Sequence, residues 1–316
     1  RIYFGGLWSL ILYNMAAGIL RAFGDSKRPL YVLILSSLIN VVGDFLLVGV
    51  FGMGVAGAAI ATIFAQIVSV IITFKLLARL EHAGGQIHVW HLHFCAEHMS
   101  MMIKIGFPLA LQSMLFPVAN SIVQASVNTM GTDSIAAWSI CDKLSMLIWL
   151  VADSMGPAMT TYVAQNLGAG NFKRIRKGMR NAVIMALITS VVVSVCMLIF
   201  GRPILRLFIS DETGQVEEVL GIAYLYLSIM SWFLAVLYAL HTYRSALQGL
   251  GNTVIPMLSG IMEFIMRTTA VMLLPRFVGE KGVFYAEVLA WTGATVILVT
   301  SYYAVRRKIE KKLKIT

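Results

Sequence analysis

Long apolar stretches separated by short polar breaks dominate the chain. Most of these stretches are as long as the roughly 20 residues with which a helix crosses a hydrocarbon layer about 30 Å thick. Their apolarity is continuous, whereas the strands of a membrane β-barrel would show short alternating segments. The pattern therefore predicts an all-α polytopic membrane protein with nine transmembrane helices. These are expected near residues 5–22, 30–50, 54–78, 101–128, 133–160, 175–208, 217–243, 253–275 and 282–305.

The composition agrees with a multi-pass protein of the cell membrane. Of the 316 residues, 59% are hydrophobic and only 13% are charged, which is too little polar surface for a soluble fold of this size. The three cysteines, Cys95, Cys141 and Cys196, lie far apart. Their spacing indicates neither a disulfide framework nor a metal site.

The charges follow the predicted topology. The 25 lysines and arginines give a net charge of +10, and most of them fall in every second loop, among them Arg244 and the cluster at 306–314. The positive-inside rule places those loops in the cytoplasm. Topology and anionic membrane lipids therefore explain the charge, and no nucleic-acid partner is expected.

An internal repeat links the two ends of the chain. The segment LRAFGDSKRPL at 20–30 aligns with LQGLGNTVIPM at 247–257, pairing Gly24 with Gly251 at an offset of 227 residues. Spans one to three then correspond to spans seven to nine, and the partners of spans four to six are expected before residue 1. We therefore predict two six-helix lobes related by a parallel repeat, as in several transporters.

This arrangement divides the chain into four parts. We expect an incomplete amino-terminal lobe at 1–80, a cytoplasmic linker between the lobes at 81–100, a complete six-helix carboxyl-terminal lobe at 101–306 and a basic cytoplasmic tail at 307–316.

The linker is rich in histidine. It contains His82, His88, His91, His93 and His98 together with Cys95. This spacing is compatible with a transition metal, but an amphipathic surface helix with Trp90 at the membrane interface explains the segment more simply. No metal site is predicted.

Three polar residues lie inside the predicted amino-terminal lobe. Asn40 and Asp44 are four residues apart and share a helix face, with Asp44 roughly 9 Å from the outer edge of the membrane. Thr62 reaches a similar depth on the next span. Carboxylate, amide and hydroxyl oxygens at one depth suit Na+, or a carboxylate that alternates between a bound proton and a free charge. A hydrogen-bonded contact between helices, without a transport role, is the alternative.

The predicted carboxyl-terminal lobe carries two polar stripes that are candidates for a substrate cavity. Asp142, Trp149 and Asp153 share one face of span five, an acidic and aromatic surface suited to a lipophilic cation. The stripe on span four suits either a cavity wall or helix packing. It consists of Gln112, Asn120, Gln124 and Asn128.

Three further charges lie inside the predicted membrane, two near its middle and Glu287 roughly 7 Å from its outer edge. Glu263 and Arg267 stand four residues apart and are predicted to form a structural ion pair. Glu287, a further candidate for the cavity, can take up a proton, pair with Arg267 or reach water, and the sequence leaves these alternatives open.

Two stretches resemble the multidrug and toxic compound extrusion (MATE) family: RAFGDSKRPLYVLILSSLINVVGDFLLVGVFGMGVAGAAIAT at 21–62 and AMTTYVAQNLGAGNFKRIRKGM at 158–179. The resemblance extends over nearly the whole chain. It implies export of organic cations or amphiphilic drugs in exchange for H+ or Na+, by alternating access of two lobes.

The resemblance also bears on single positions. In one branch of the family, the positions of Asn40, Asp44 and Thr62 line a cation site. Another branch has a glutamate where Phe116 aligns and an aspartate where Leu237 aligns, so a sodium site of that design is not expected in this chain.

Other function classes are less well supported. The chain has no P-loop and no HExxH or GxSxG motif, so we expect neither an enzyme nor a cofactor other than the coupling ion. A flippase for lipid-linked precursors would need a cationic cavity for a pyrophosphate, whereas the second-lobe spans, away from their ends, hold four acids, Asp142, Asp153, Glu263 and Glu287, against Lys143 and Arg267. A non-transporting membrane scaffold is a further alternative. We expect a monomer whose partners are cationic or amphiphilic drugs and membrane lipids.

Overall fold

The structure is a computed structural model and describes residues 1–79, 81–82, 85–86, 94–208, 216–279 and 281–312. Helices make up nearly all of the described chain. They are α1 (Ile2–Gly5), α2 (Leu7–Ala22), α3 (Lys27–Asp44), a π-helical segment (Phe45–Val50), α4 (Gly54–Ala78), α5 (Ala96–Val127), α6 (Thr132–Gly168), α7 (Phe172–Arg206), α8 (Val216–Trp232), α9 (Leu234–Gly249), α10 (Val254–Leu273), α11 (Pro275–Val278) and α12 (Lys281–Lys312). One short antiparallel pair, β1 (Glu81–His82) and β2 (Gly85–Gln86), follows α4.

The chain forms two compact units, Arg1–Cys95 and Ala96–Thr316. In unit 1, α4 packs against α1, α2 and α3. In unit 2, α6 packs against α7, α8 and α9, while α10 lies between α5 and α12. The large apolar core belongs to unit 2 and includes Trp291, Tyr238 and Leu144, all almost fully buried.

The all-α membrane fold is confirmed, but the number of nine spans is wrong. Within the described part of the chain, seven helices are long and apolar enough to cross a membrane, and a bent pair makes an eighth. The seven are Lys27–Val50, Gly54–Ala78, Ala96–Val127, Ser134–Gly168, Phe172–Arg206, Val254–Val278 and Lys281–Lys311.

Two local breaks explain the difference. The predicted first span is interrupted at Gly6, so that α2 keeps only 16 residues, about 24 Å at 1.5 Å per residue. Glycine is a poor helix former, and Gly6 lies so close to Ile63 of α4 that a side chain at this position would overlap it. The predicted seventh span is bent by 51° between α8 and α9, next to Phe233.

Several helices run further than the predicted spans, and α6 and α9 do so at their ends, Gly168 and Gly249. Helix α5 begins at Ala96, inside the predicted linker, and α12 continues to Lys312, inside the predicted tail. Polar ends of membrane helices continue into the aqueous phase, where hydropathy does not mark their limits.

The turn between α2 and α3 has the same geometry as the turn between α9 and α10. Gly24 has a φ of 89° and Gly251 a φ of 79°. The next residue caps the following helix in both cases, since Asp25 Oδ1 accepts a bond of 3.1 Å from the Arg28 N–H and Asn252 Oδ1 accepts one of 3.1 Å from the Ile255 N–H. This pairing is the one that the sequence repeat predicts.

The elements that follow the two turns also come in the same order. In unit 1 a long helix, a short π-helical segment, glycines with positive φ and another long helix follow. In unit 2 the order is α10, the short α11, Gly279 with a φ of 67°, and α12. Each unit therefore contains one copy of the same local arrangement.

Candidate functional site

Unit 1 brings together two of the three residues predicted to bind a cation. The Asn40 side-chain amide on α3 donates a hydrogen bond of 3.3 Å to Thr62 Oγ1 on α4, and the Thr62 hydroxyl donates to the Ala58 carbonyl at 2.9 Å. The two helices approach closely at Gly43, where a Cβ would lie 3.0 Å from Ala61 Cβ. The small residues at this contact explain how two short polar side chains reach each other.

The third residue, Asp44, lies one turn beyond Asn40 at the end of α3. Its Oδ1 atom is buried and has no hydrogen-bond partner among the described residues. The π-helical segment begins at the next residue, and such segments are frequent at functional sites. A buried carboxylate oxygen without a protein partner requires a proton, a cation or water.

A second polar contact lies one turn further along α4. Gln66 follows Thr62 by four residues, and its Oε1 atom is 3.2 Å from the hydroxyl of Ser9 on α2. Ser9 is fully buried and also lies 2.6 Å from the Gly6 carbonyl oxygen. Polar side chains from α2, α3 and α4 therefore lie along one face of α4, a feature that the i, i+4 spacing of Thr62 and Gln66 on an apolar helix could have indicated.

Unit 2 contains a network of four buried charges. Arg267 Nη2 lies 3.1 Å from Glu263 Oε1, its neighbour on α10, and 3.1 Å from Glu287 Oε1 on α12. Arg244 Nη2 on α9 lies 2.8 Å from Glu263 Oε2. Two arginines and two glutamates balance each other, as buried charges must.

Further contacts hold the guanidinium of Arg267, whose side chain is only 1% exposed. Arg267 Nη1 donates a hydrogen bond of 3.0 Å to Asn120 Oδ1 on α5. Its Cζ atom lies 5.0 Å from the ring centre of Phe116, a cation–π contact. Asn120 thus acts as a hydrogen-bond acceptor for Arg267.

The remaining polar side chains of α5 do not form one cluster. The Gln124 amide donates to Asn128 Oδ1 at 2.9 Å on the exposed side. Gln112 packs against Gly260 of α10, and its Oε1 atom is buried without a partner among the described residues. Only Asn120 of the predicted stripe joins the charge network.

On the predicted acidic and aromatic face of α6, the acidic side chains are exposed and the central tryptophan packs against other aromatic rings. Asp142 is exposed. Trp149 contacts three aromatic rings, at centroid distances of 4.9 Å to Phe116, 5.4 Å to His241 and 6.0 Å to Trp291. The face therefore combines an aromatic cluster with acids at its border.

Asp153 pairs with a histidine of α9. Its Oδ1 atom lies 3.4 Å from His241 Nδ1, and its side chain is 66% exposed against 12% for His241. The other ring nitrogen, His241 Nε2, is buried and has no partner in the described part of the chain. An exposed carboxylate thus meets a largely buried imidazole close to Trp149.

Comparison with known proteins identifies the family to which the chain belongs. The MatE family model matches residues 108–271, just over half of the chain. The chain belongs to the MATE family. This is a family of membrane transporters rather than of enzymes, and the sequence resemblance is confirmed.

Relatives of the MATE family differ in what their names say of their substrates. The chain is 28% identical over 238 residues to the "Probable multidrug resistance protein YoeA" of Bacillus subtilis, covering 73% of the chain and 50% of that protein. It is 28% identical over 251 residues to the "FAD transporter" of Shewanella oneidensis, covering 75% of the chain and 54% of that protein. The chain thus spans about half the length of these curated relatives.

Solved MATE structures share the fold. An outward-facing multidrug resistance MATE family transporter matches the whole chain with a TM-score of 0.87 at 21% identity, and 69% of that chain is covered. At this identity the likeness concerns the fold.

Two residues in or beside the charge network, Arg244 and His241, were not predicted as site residues from the sequence. Arg244 was expected in an inner loop, but it lies on α9 with a side chain only 14% exposed and pairs with Glu263. Arg244 lies five residues, about 7.5 Å, before the end of α9. This is close enough to the helix end for the sequence to suggest a loop residue. His241, one turn earlier, carried no motif that would have identified it.

The two positions that differ from another MATE branch are both apolar contacts. Phe116 lies beneath Arg267 and beside Trp149, and Leu237 is fully buried. Neither supplies an oxygen atom.

The histidine-rich segment is only partly described. His88, His91 and His93 lie outside the described residues, so the structure leaves the predicted absence of a metal there as a prediction. Among the residues that are described, no group of three or more His, Cys, Asp or Glu side chains could hold a metal ion.

Proposed function

We propose that this chain is part of a secondary active exporter of organic cations or amphiphilic drugs in the cell membrane. Transport is driven by inward flow of H+ or Na+ through alternating access of two six-helix lobes. The transporter acts as a monomer and needs no resident cofactor. Asp44, assisted by Asn40 and Thr62, binds the coupling ion.

The observation that carries this proposal is the buried Asp44 Oδ1 atom without a partner in the described residues. A carboxylate inside a membrane is costly and is usually functional. If Asp44 were part of a permanent contact between helices, its oxygens would accept hydrogen bonds as Glu263 does. An exchangeable proton or Na+ satisfies this oxygen in one state of the transport cycle and leaves it in another.

The charges of unit 2 support a cationic substrate. The exposed acids Asp142 and Asp153 border an aromatic cluster centred on Trp149, and such a surface favours a lipophilic cation. A flippase for lipid-linked precursors would need free cations for a pyrophosphate, but the buried Arg244 and Arg267 are both engaged with glutamates. An anion carrier, as the name of the Shewanella oneidensis relative suggests, would meet the same neutralised arginines.

The test is transport by the purified full-length protein in liposomes. Tetraphenylphosphonium serves as the cationic probe, flavin adenine dinucleotide as the anionic probe, and a fluorescent polyprenyl pyrophosphate as the lipid probe, each under an imposed proton or Na+ gradient. We expect the cation alone to move against its gradient, under at least one of the two ion gradients.

Each other outcome contradicts the proposal in a defined way. Movement of the dinucleotide without the cation would indicate an anion carrier. Exchange of the lipid probe between leaflets, independent of both gradients, would indicate a flippase. Absence of transport with all three probes, by protein that stays folded in the liposomes, would indicate a scaffold.

A further inference from the structure

The buried charge network of unit 2 treats its two glutamates unequally. Glu263 accepts hydrogen bonds from both arginines, 2.8 Å from Arg244 and 3.1 Å from Arg267. Arg267 also donates a hydrogen bond to the side chain of Asn120. Glu287 approaches the same Nη2 atom of Arg267 at 3.1 Å as an ion pair. The network therefore holds Glu263 tightly and Glu287 by one shared contact.

The groups that surround Glu287 include one arginine in direct contact and two other acids. Arg267 and Glu263 face it from α10, and Asp142 acts on it from α6. From α8 the phenol of Tyr226 faces it, and from α9 Arg244 reaches the network through Glu263. Glu287 thus shares its one arginine with Glu263 and has a second acid, Asp142, acting on it. A carboxylate in such surroundings changes its protonation state more readily than one held by two arginines.

Two buried nitrogen donors near Glu287 have no hydrogen-bond partner among the described residues. Trp291 lies one turn after Glu287 on α12, is fully buried, and its Nε1 atom has no partner within the described residues. The Nε atom of Arg267 is likewise buried and unpartnered. Buried polar atoms of this kind are normally satisfied by water or by a ligand. They indicate a polar route by which water reaches the Arg267–Glu287 pair, rather than an ion pair closed to water.

The route extends along unit 2 in both directions. Glu287 lies six residues, about 9 Å, from the start of α12, and Asn120 lies about 10 Å from the end of α5 that the predicted topology places outside. Beyond Asn120, Gln124 and Asn128 bond to each other near the exposed end of α5. Toward the opposite side, Glu263 leads through Arg244 to the neighbouring His241 and to the exposed Asp153.

We propose that Glu287 is a second proton-binding site, located in unit 2 and separate from Asp44, which takes up a proton as Arg267 withdraws to Glu263 and Asn120. The proton comes from water and converts the Glu287 carboxylate to a carboxylic acid; the reverse step returns the proton to water. Glu263 remains ionised throughout because both arginines hold it.

The test follows protonation directly and does not depend on transport. Infrared difference spectra between acidic and neutral pH record the carbonyl band of protonated carboxyl groups in the full-length protein in lipid. The spectra are taken in an Asp44→Asn background, so that the site proposed for coupling contributes nothing. Adding Glu287→Gln should remove the band of one buried carboxyl group, whereas the matched change Glu310→Gln, at a buried carboxylate that pairs with Arg176 outside this network, should leave that band in place.

An unchanged band in the Glu287→Gln protein would overturn the proposal, because Glu287 would then be permanently ionised and the network purely structural. If Glu287→Gln does not fold, Glu287→Asp provides the same test through a shift in band position, and an unshifted band again overturns the proposal. Loss of the band with Glu310→Gln, and not with Glu287→Gln, would assign the proton to Glu310 and overturn the proposal. Failure of the Asp44 proposal appears in flux measurements and leaves these spectra unaffected.

Discussion

The two units share the same glycine turn, but the polar side chains in their interiors differ. In unit 1, Asp44 leaves a buried oxygen unpartnered beside the Asn40–Thr62 contact. In unit 2, Arg267 and Arg244 neutralise two glutamates. The repeat has therefore kept the backbone geometry at Gly24 and Gly251 while the membrane-embedded side chains diverged. Backbone conformation and ion chemistry are separate properties of the two copies.

The largest expected effect concerns Arg267. The change Arg267→Met would leave Glu287 without a cation and remove one of two from Glu263, so it should destabilise unit 2 by about 3–5 kcal/mol. Removing Glu287 as well, by Glu287→Gln, leaves the Arg244–Glu263 pair intact and should recover part of the loss. Denaturant unfolding in detergent measures both free energies.

Asp44→Asn is the matched change in unit 1, where no ion pair is broken, and it should leave the free energy of unfolding within about 0.5 kcal/mol of the wild type. Equal destabilisation by Asp44→Asn and Arg267→Met would contradict the difference between the two interiors. Additive losses in the double variant of Arg267 and Glu287 would show that these two residues are not coupled.

A smaller effect tests what the two units share. Gly24→Ala and Gly251→Ala each force a side chain into a left-handed conformation, which should cost about 1–2 kcal/mol. The φ angles of the two glycines differ by little, 89° at Gly24 and 79° at Gly251, and a Cβ placed at Gly251 meets no atom within 4 Å, so the two losses should be similar. The free energy of unfolding of the two variants gives the comparison.

Gly221→Ala in α8 is the control, because its Cβ also meets no atom and its backbone is helical. It should be neutral or stabilising by up to about 1 kcal/mol. A loss at Gly24 without one at Gly251 would mean that the turns are not equivalent in the folded protein.

The helical architecture follows from the sequence because apolar length and basic loops are direct consequences of the membrane environment. The repeat also follows from it, since the Gly24 and Gly251 turns require particular residues. The break at Gly6 depends on its close approach to Ile63 of another helix, which hydropathy does not contain, and hydropathy likewise does not indicate the bend at Phe233.

The site was only partly predictable for a related reason. The pairing of Glu263 with Arg267 lies within one helix turn and can be found from spacing. The contacts of Arg244 and Asn120 join helices that are far apart in the chain. Such contacts depend on which helix faces meet, and a single sequence does not specify this.

The central claim is that Asp44 carries the coupling ion, and gradient-driven efflux from liposomes containing the full-length protein tests it most directly. Asp44→Asn keeps size and hydrogen bonding but removes titration, so it should abolish efflux driven by a proton or Na+ gradient. Thr62→Val, which deletes one neutral ligand, should reduce efflux less. Asp25→Asn is the matched control, because the equivalent turn in unit 2 already has Asn252 as its cap, and it should keep wild-type efflux. Undiminished, gradient-dependent efflux by the Asp44→Asn protein at equal protein levels would contradict the claim and move the coupling role to unit 2.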